Sequence, residues 1–263
     1  MKKRMALISI FVMALGWASA AGAYKGSITI ALPDDPLTMD PHVTSSTIGW
    51  MIWQWPNDSL IKSETGTGKI VPWLAERWEK LGPTKYKFWL RRDAKFTDGT
   101  PLTTEAVKYT MDRIFDPELK SLQLGYWEGF ERLEILDDYT FIWHLKYPDN
   151  GLLRRLGDRF LLISPKTKGL PKETIARQTF GSGAYILSSW TKGQKMVFEA
   201  NPTWWGNRLY PDRPKTVALR SIKESTTRVK ALLVGEVDII MRVAAHEVPE
   251  IKRNPGTEVG VVP

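Results

Sequence analysis

Alternating apolar and polar positions predict a series of short β-strands along the chain. The first covers residues 26–32, where Ile28, Ile30 and Leu32 share one face and a Pro-Asp-Asp-Pro turn follows. The same alternation, or a short run of β-branched and aromatic residues, predicts further strands. These lie at residues 59–63, 86–90, 133–135, 140–145, 184–188, 195–200, 216–219 and 237–240.

Apolar residues at helical spacing occur between several of these strands. The clearest predicted helix begins at Thr103 or Thr104, either of which can cap it, and continues to Ile114. Further helices are predicted at residues 152–160, 225–233 and 246–253. Turns at Asp137-Asp138 and at Lys192-Gly193-Gln194 join neighbouring strands into hairpins. This mixed order of strands, hairpins and helices predicts an α/β (mixed α+β) fold.

The N-terminus has the three parts of a secretory signal peptide. Met1-Lys2-Lys3-Arg4 is cationic, residues 5–17 are apolar, and residues 18–23 are small. The apolar run is shorter than the roughly 20 residues of a membrane-spanning helix, which argues against an anchor. Cleavage after Ala20 or Ala23 would release a soluble mature protein, so we expect export to the periplasm.

Composition narrows the chemistry that the chain can perform. The sequence contains no cysteine, which excludes disulfides, thiolate metal sites, a cysteine nucleophile and a lipid-bearing cysteine. We therefore predict a periplasmic protein without a lipid anchor. The formal net charge is +8, but basic residues stand singly or in pairs among acidic ones, so we predict no nucleic-acid partner. The 12 tryptophans suit a thick core or a pocket that encloses a ligand.

The sequence lacks the common motifs of enzymes. It has no Gly-x-Ser-x-Gly elbow, no His-Glu-x-x-His and no dinucleotide-binding glycine fingerprint, and three scattered histidines define no triad. Asp137 and Asp138 would point to opposite faces of a strand, and a turn explains them better than an acid/base pair. We predict a non-enzyme with no metal site and no cofactor. The aromatic content leaves a secreted carbohydrate-binding or glycoside-processing protein, or a periplasmic chaperone, as alternatives.

Six segments, in order, resemble the family 5 extracellular solute-binding proteins, the oligopeptide-, dipeptide- and nickel-binding class. The strongest resemblance covers residues 86–113, in which an aromatic strand is followed by Ala-Lys-Phe-x-Asp-Gly-Thr-Pro and a helix. The other segments are Met39-Asp40-Pro41-His42, residues 70–79, Gly181-Ser182-Gly183-Ala184-Tyr185, Asn201-Pro202-Thr203-Trp204-Trp205-Gly206, and residues 232–239. The segments are spread along the chain, so the resemblance extends over nearly all of it after the predicted signal peptide.

The resemblance implies a periplasmic-binding-protein type II-like fold with two lobes. Residues 1–23 would be the signal peptide, 24–55 and 182–263 domain I, and 56–181 domain II. Family members are about twice as long, so domain I is expected to be incomplete and domain III absent from a truncated chain. The implied function is to bind peptides (oligopeptide or dipeptide) in an interlobe cleft for an ABC importer. The implied partners are that ligand and the permease subunits in the inner membrane, and we expect a monomer. An oligosaccharide, an opine or a nickel chelate is the alternative ligand.

Ser45, Ser46 and Thr47 follow the Asp-Pro-His motif, where the resemblance places a strip of ligand-binding residues. Their small polar side chains can present hydroxyl and backbone groups to an extended ligand, although an ordinary polar loop has the same composition. His42 invites comparison with nickel-binding relatives. It stands beside Asp40 in a motif shared with peptide binders, which favours a hydrogen-bonded structural histidine over a metal ligand.

Three more candidates come from the resemblance and from side-chain chemistry. Tyr126 and Trp127 lie near where an aromatic residue of domain II reaches the ligand in relatives, with helix packing as the competing interpretation. Arg242 follows a predicted strand, and its guanidinium suits two-point binding of a ligand carboxylate. A plain surface position is the competing interpretation for Arg242.

Overall fold

The computed structural model describes residues 4–7, 26–64 and 66–260, and only the backbone of 4–7. The strands are β1 Arg4–Leu7, β2 Ser27–Leu32, β3 Ile61–Ser63, β4 Ile70–Pro72, β5 Ala75–Gly82, β6 Lys85–Leu90, β7 Phe130–Asp137, β8 Thr140–Leu145, β9 Tyr185–Thr191, β10 Lys195–Ala200, β11 Thr216–Ser221, β12 Ile239–Met241 and β13 Thr257–Gly260. The helices are α1 Thr47–Trp53, α2 Thr104–Phe115, α3 Leu152–Asp158, α4 Lys172–Arg177, α5 Ser225–Val234 and α6 Val248–Arg253. Short 3-10 turns cover Leu124–Trp127, Pro165–Thr167, Trp205–Arg208 and Ala245–Glu247. No helix in the described ranges is long and apolar enough to cross a membrane.

The chain divides into two compact units. Unit 1 comprises Met1–Leu37, Tyr185–Ala200 and Gly206–Pro263, so far as these residues are described. Unit 2 comprises Thr38–Ala184 and Asn201–Trp205. The predicted boundary after residue 55 therefore differs from the structure, which assigns 38–55 to unit 2. The reason is physical, because the aromatic and ionic side chains of that segment are buried among unit 2 residues.

Unit 1 is built on a mixed sheet with the strand order β13-β1-β12-β2-β11-β10-β9. The centre is parallel, with Ile30 of β2 opposite Leu219 of β11 and Ile239 of β12. The edge formed by β9, β10 and β11 is antiparallel, and β9 and β10 form the hairpin predicted around Gly193. β1 pairs in parallel with both β12 and β13. It lies inside the predicted signal peptide, the rest of which falls outside the described residues.

Helices α5 and α6 pack against the parallel part of this sheet. Buried apolar residues from the helices and strands form one cluster, which includes Ala31, Val229, Leu232, Ile240 and Ile251. α5 ends at Gly235, whose φ of 84° is the left-handed value that a glycine adopts without strain. The Leu-Leu-x-Gly-Glu-Val-Asp sequence is therefore a helix, a glycine cap and a return to the sheet.

Unit 2 contains an antiparallel sheet with the order β5-β6-β8-β7, a small β3-β4 ribbon, and helices around them. Phe88 of β6 and Phe141 of β8 are fully buried and stack with ring centroids 5.2 Å apart. Val107 and Met111 lie on the buried face of α2. The predicted hairpin at 137–138 joins β7 and β8, and Asp137 Oδ1 accepts the N–H of Tyr139 at 2.8 Å.

The start of α2 differs from its predicted capping. Thr103 occupies the capping position, but its side chain makes no capping hydrogen bond. Thr104 instead uses its backbone N–H to bind Asp138 O at 2.8 Å and its hydroxyl to bind Asp137 O at 3.1 Å. The turn between β7 and β8 therefore satisfies the first unpaired backbone N–H of α2.

Candidate ligand-binding surface

A buried ion pair anchors the Asp-Pro-His segment to α2 inside unit 2. Arg113 donates from Nη1 to Asp40 Oδ1 at 2.8 Å and from Nη2 to Asp40 Oδ2 at 2.6 Å. The two side chains are 8% and 5% exposed. Burial raises the pKa of Asp40, but hydrogen bonds from Arg113 and the nearby positive charge outweigh it, so this pKa lies below its usual value. Asp40 is therefore a carboxylate held in place by a guanidinium fork.

His42 completes this buried group. Its Nδ1 lies 2.9 Å from Arg113 Nη1 and accepts that hydrogen bond, while Nε2 lies 2.9 Å from the carbonyl of Leu161 and donates to it. Burial, followed by the positive charge of Arg113, lowers the pKa of His42 to about 4. A neutral imidazole with both nitrogens engaged confirms the prediction of a hydrogen-bonded structural histidine. In the described part of the chain, no group of three or more His, Asp or Glu side chains could hold a metal ion.

The predicted strip Ser45–Thr47 lies directly after this anchor. Ser45 and Thr47 are exposed, and Ser46 is partly buried. Ser46 Oγ accepts the N–H of Gly49 at 3.2 Å and thereby caps α1. The backbone just before the strip is fixed by Gln123, whose Nε2 donates to Thr44 O at 2.6 Å. The strip is therefore an accessible polar edge on a rigid base.

Tyr126 lies on the neighbouring 3-10 turn, which follows Gln123. The residue is 37% exposed, and its ring centroid lies 4.8 Å from Arg159 Cζ. Trp50, on the first turns of α1, lies 4.6 Å from the same guanidinium carbon. The structure thus places the Ser45–Thr47 helix start, Tyr126 and Arg159 on neighbouring segments of unit 2. No pattern in the sequence pointed to Arg159, because its aromatic partners lie far away in the chain.

The structure corrects the assignment of Trp127 as a ligand-binding residue. Trp127 is only 2% exposed, and its ring lies 5.8 Å from Trp143 and 5.4 Å from Phe160 by centroid distance. Adjacent residues on a tight turn point in different directions, so Tyr126 faces outward while Trp127 enters the core. The packing interpretation holds for Trp127, which does not belong to the exposed surface.

Arg242 belongs to unit 1, at the end of β12. It is exposed and has a φ of 55°, a left-handed conformation that costs free energy for a residue with a side chain. Its carbonyl accepts a hydrogen bond from Arg228 Nη2 at 2.9 Å. Arg228 is 3% exposed and also binds the carbonyls of Ile222, Lys223 and Met241. A buried guanidinium therefore holds the strained backbone that presents Arg242.

A carboxylate surrounded by tryptophans explains another group of motif residues in unit 2. Asp58 is 3% exposed and accepts indole N–H bonds from Trp73 at 2.7 Å, Trp204 at 3.2 Å and Trp205 at 3.0 Å. Burial raises the pKa of Asp58, and the charge of Lys62 and the indole bonds oppose that rise. The sequence indicated only an abundance of tryptophan. The paired tryptophans of the Asn-Pro-Thr-Trp-Trp-Gly segment thus stabilise the fold around Asp58.

Comparison with known proteins agrees with this architecture. Residues 69–263 match the model of the bacterial extracellular solute-binding proteins, family 5, middle region. The probable D,D-dipeptide-binding periplasmic protein DdpA of Escherichia coli is 29% identical, over 92% of this chain and 48% of that protein. The periplasmic binding protein DppA of Helicobacter pylori, solved with the peptide STSA, superposes with a TM-score of 0.77 and 25% identity, covering 88% of this chain and 49% of DppA.

A further solved relative carries a different ligand. AgaA of A. tumefacien R10, in complex with agropinic acid, is 26% identical with a TM-score of 0.77, covering 88% of this chain and 46% of AgaA. The chain spans about half the length of the curated relatives it matches. The mixed α/β architecture, the order of the motifs and the family match agree with one another. This chain belongs to the family 5 bacterial extracellular solute-binding proteins.

Proposed function

We propose that this chain is the N-terminal part of a periplasmic receptor that binds peptides for an ABC importer. The family match and the relatives named as dipeptide- and oligopeptide-binding proteins support this proposal. The main support from this chain's own structure is the accessible strip Ser45–Thr47, which lies beside the buried pair of Asp40 and Arg113. Binding without turnover is the activity that such a surface supports.

Each unit contributes its own candidate contacts. On unit 2, the hydroxyls of Ser45 and Thr47 and nearby backbone groups hydrogen-bond the main chain of an extended ligand. Tyr126 adds an exposed aromatic face against which ligand side chains pack. On unit 1, Arg242 offers a guanidinium to an acidic group. Main-chain bonding gives affinity with little sequence preference, as a receptor for varied peptides requires.

The cellular setting belongs to the same proposal. Residues 1–23 act as a signal peptide, the mature protein is a periplasmic monomer without a lipid anchor, and it delivers ligand to permease subunits in the inner membrane. The absence of cysteine and the cationic and apolar N-terminal sequence support this setting. Ligand binding works by stabilising the receptor conformation that the permease recognises.

Native mass spectrometry of the complete gene product, recovered from periplasm, tests the proposal. We expect a monomer whose mass lacks the signal peptide and which carries a spread of peptide masses. A protein that retains residues 1–23, or that carries no small molecule and binds none from a peptide mixture, contradicts it. One organic-acid mass in place of peptides favours the second candidate, an opine-type ligand, which the AgaA complex with agropinic acid suggests.

A further inference from the structure

Arg159 has an unusual setting in unit 2. Its guanidinium carbon lies 4.6 Å from the ring centroid of Trp50 and 4.8 Å from that of Tyr126. Both distances are within the range in which a cation is attracted to an aromatic face. Two rings from different segments therefore position one guanidinium at a partly exposed place beside the Ser45–Thr47 strip.

The guanidinium of Arg159 makes no hydrogen bond and no ion pair with any residue in the described ranges. Two other buried or stacked arginines, in contrast, use their guanidinium donors on the protein itself. Arg113 is occupied by Asp40, and Arg91, which also stacks on a tryptophan, binds both Asp93 oxygens. The adjacent Asp158 forms its ion pair with Arg154 at 3.2 Å, and the charges of Asp158 and Arg159 attract each other without a hydrogen bond. The donors of Arg159 are therefore available to a ligand.

The surroundings of this guanidinium are rigid. Trp50 packs edge-on against Trp53 with centroids 6.0 Å apart, and Trp53 is fully buried with its Nε1 donating to Thr38 O at 2.7 Å. Arg159 ends α3 with its N–H bound to Arg155 O at 2.7 Å, and the next residue, Phe160, is fully buried. A side chain held this way loses little freedom when it binds, which favours affinity.

We propose that Arg159, held by Trp50 and Tyr126, binds a carboxylate group of the ligand. A guanidinium with free donors matches the two oxygens of a carboxylate, and the flanking rings limit its hydration. This inference rests on the proposed function, since it names the ligand chemistry that the unit 2 surface selects. In a peptide, that group is the C-terminal carboxylate or an acidic side chain.

Isothermal titration of the complete gene product tests this inference with three synthetic probes. These are trialanine, trialanine amide, and Ala-Asp-Ala amide, whose only carboxylate is on the side chain. We expect wild type to bind trialanine at least tenfold more tightly than its amide. Arg159→Gln should remove that preference and leave amide binding unchanged. Arg159→Lys should keep part of the preference, since it retains the charge but loses the two-point geometry.

A matched control separates ligand binding from loss of charge or stacking. Arg92 also lies over an aromatic ring, with Cζ 4.3 Å from the Tyr139 centroid, and is exposed elsewhere in unit 2. Arg92→Gln should leave all three affinities unchanged, and the melting temperature of each variant should stay near that of wild type. If wild type binds Ala-Asp-Ala amide more tightly than trialanine amide, the site accepts a side-chain carboxylate. If it binds the two amides equally, the bound group is the C-terminal carboxylate.

Two negative results have different meanings. In the first, wild type binds the peptides, but Arg159→Gln lowers the affinities for trialanine and trialanine amide equally or lowers neither. The carboxylate assignment is then overturned and the receptor function stands. If wild type binds no probe and carries no peptide in native mass spectrometry, the proposed function fails and the assignment fails with it.

Discussion

Arg113 and Asp40 form a two-point ion pair inside unit 2, with N–O distances of 2.8 and 2.6 Å. The pair joins the start of the Asp-Pro-His segment to α2, more than 70 residues later in the chain. It therefore sets the position of the strip Ser45–Thr47, which follows immediately.

Arg113→Met should lower the free energy of unfolding by about 3–5 kcal/mol, because it leaves the Asp40 carboxylate buried without its partner. Urea denaturation of the complete gene product measures this. Arg132→Met is the matched control, since Arg132 pairs with Glu134 at 3.4 Å where the side chains are 53% and 40% exposed. That variant should change stability by less than about 1 kcal/mol. Equal losses in both variants would contradict a structural role for the buried pair.

Stability should fall as the pH drops from about 6.5 towards 4. The pKa of His42 is lowered to about 4 in the folded protein, below the ordinary 6.5, so the unfolded chain binds the extra proton first. Asp40 adds a loss at lower pH, because its folded pKa is depressed and its contribution disappears as the carboxylate becomes protonated. Urea denaturation midpoints measured across this pH range show how stability changes with pH.

His42→Gln isolates the histidine in that experiment. It removes the titrating ring, so its stability should vary less than that of wild type between pH 6.5 and 4. Burial raises the pKa of Asp58, which contributes the opposite slope, but that contribution is present in both proteins and cancels in the comparison. Parallel pH profiles for wild type and His42→Gln would show that His42 does not titrate as the structure indicates.

Asp58→Asn should destabilise the protein by about 2 kcal/mol and change its tryptophan fluorescence. The amide nitrogen cannot accept a hydrogen bond, so at least one of the indole donors, Trp73, Trp204 or Trp205, loses its acceptor in a buried site. Denaturation followed by tryptophan emission measures both effects. Asp112→Asn is the control, because the Asp112 side chain is 58% exposed and pairs with Lys108 at the surface. An unchanged spectrum for Asp58→Asn would argue against the tryptophan cluster.

Arg242→Gly should be more stable than Arg242→Ala by about 1 kcal/mol. Both variants lose the guanidinium, but only glycine adopts a φ of 55° without strain. Arg253, in the last turn of α6, supplies the opposite control. Arg253→Gly should be less stable than Arg253→Ala, by at most about 1 kcal/mol, because the backbone at that position is helical. Thermal melts of the four variants measure these differences. If Arg242→Ala were more stable than Arg242→Gly, the backbone at position 242 would not be strained.

Several elements were predicted from the sequence because their signals are local. The β7–β8 hairpin, α2 and α5 each depend on neighbouring residues and their backbone preferences. β5 was missed, since five of its eight residues are exposed and an exposed strand shows no apolar alternation. α1 was not predicted, because seven residues are too few to display a helical period.

The sequence by itself determined the strand and helix pattern, the mixed fold and the family motifs. Tertiary structure decided which unit residues 38–55 join, that Trp127 is buried while Tyr126 is exposed, and that Asp58 lies among tryptophans distant in the chain. It also placed Trp50 and Tyr126 beside Arg159. Local patterns report how a segment folds, whereas the burial of charges and the meeting of distant side chains depend on how the segments pack.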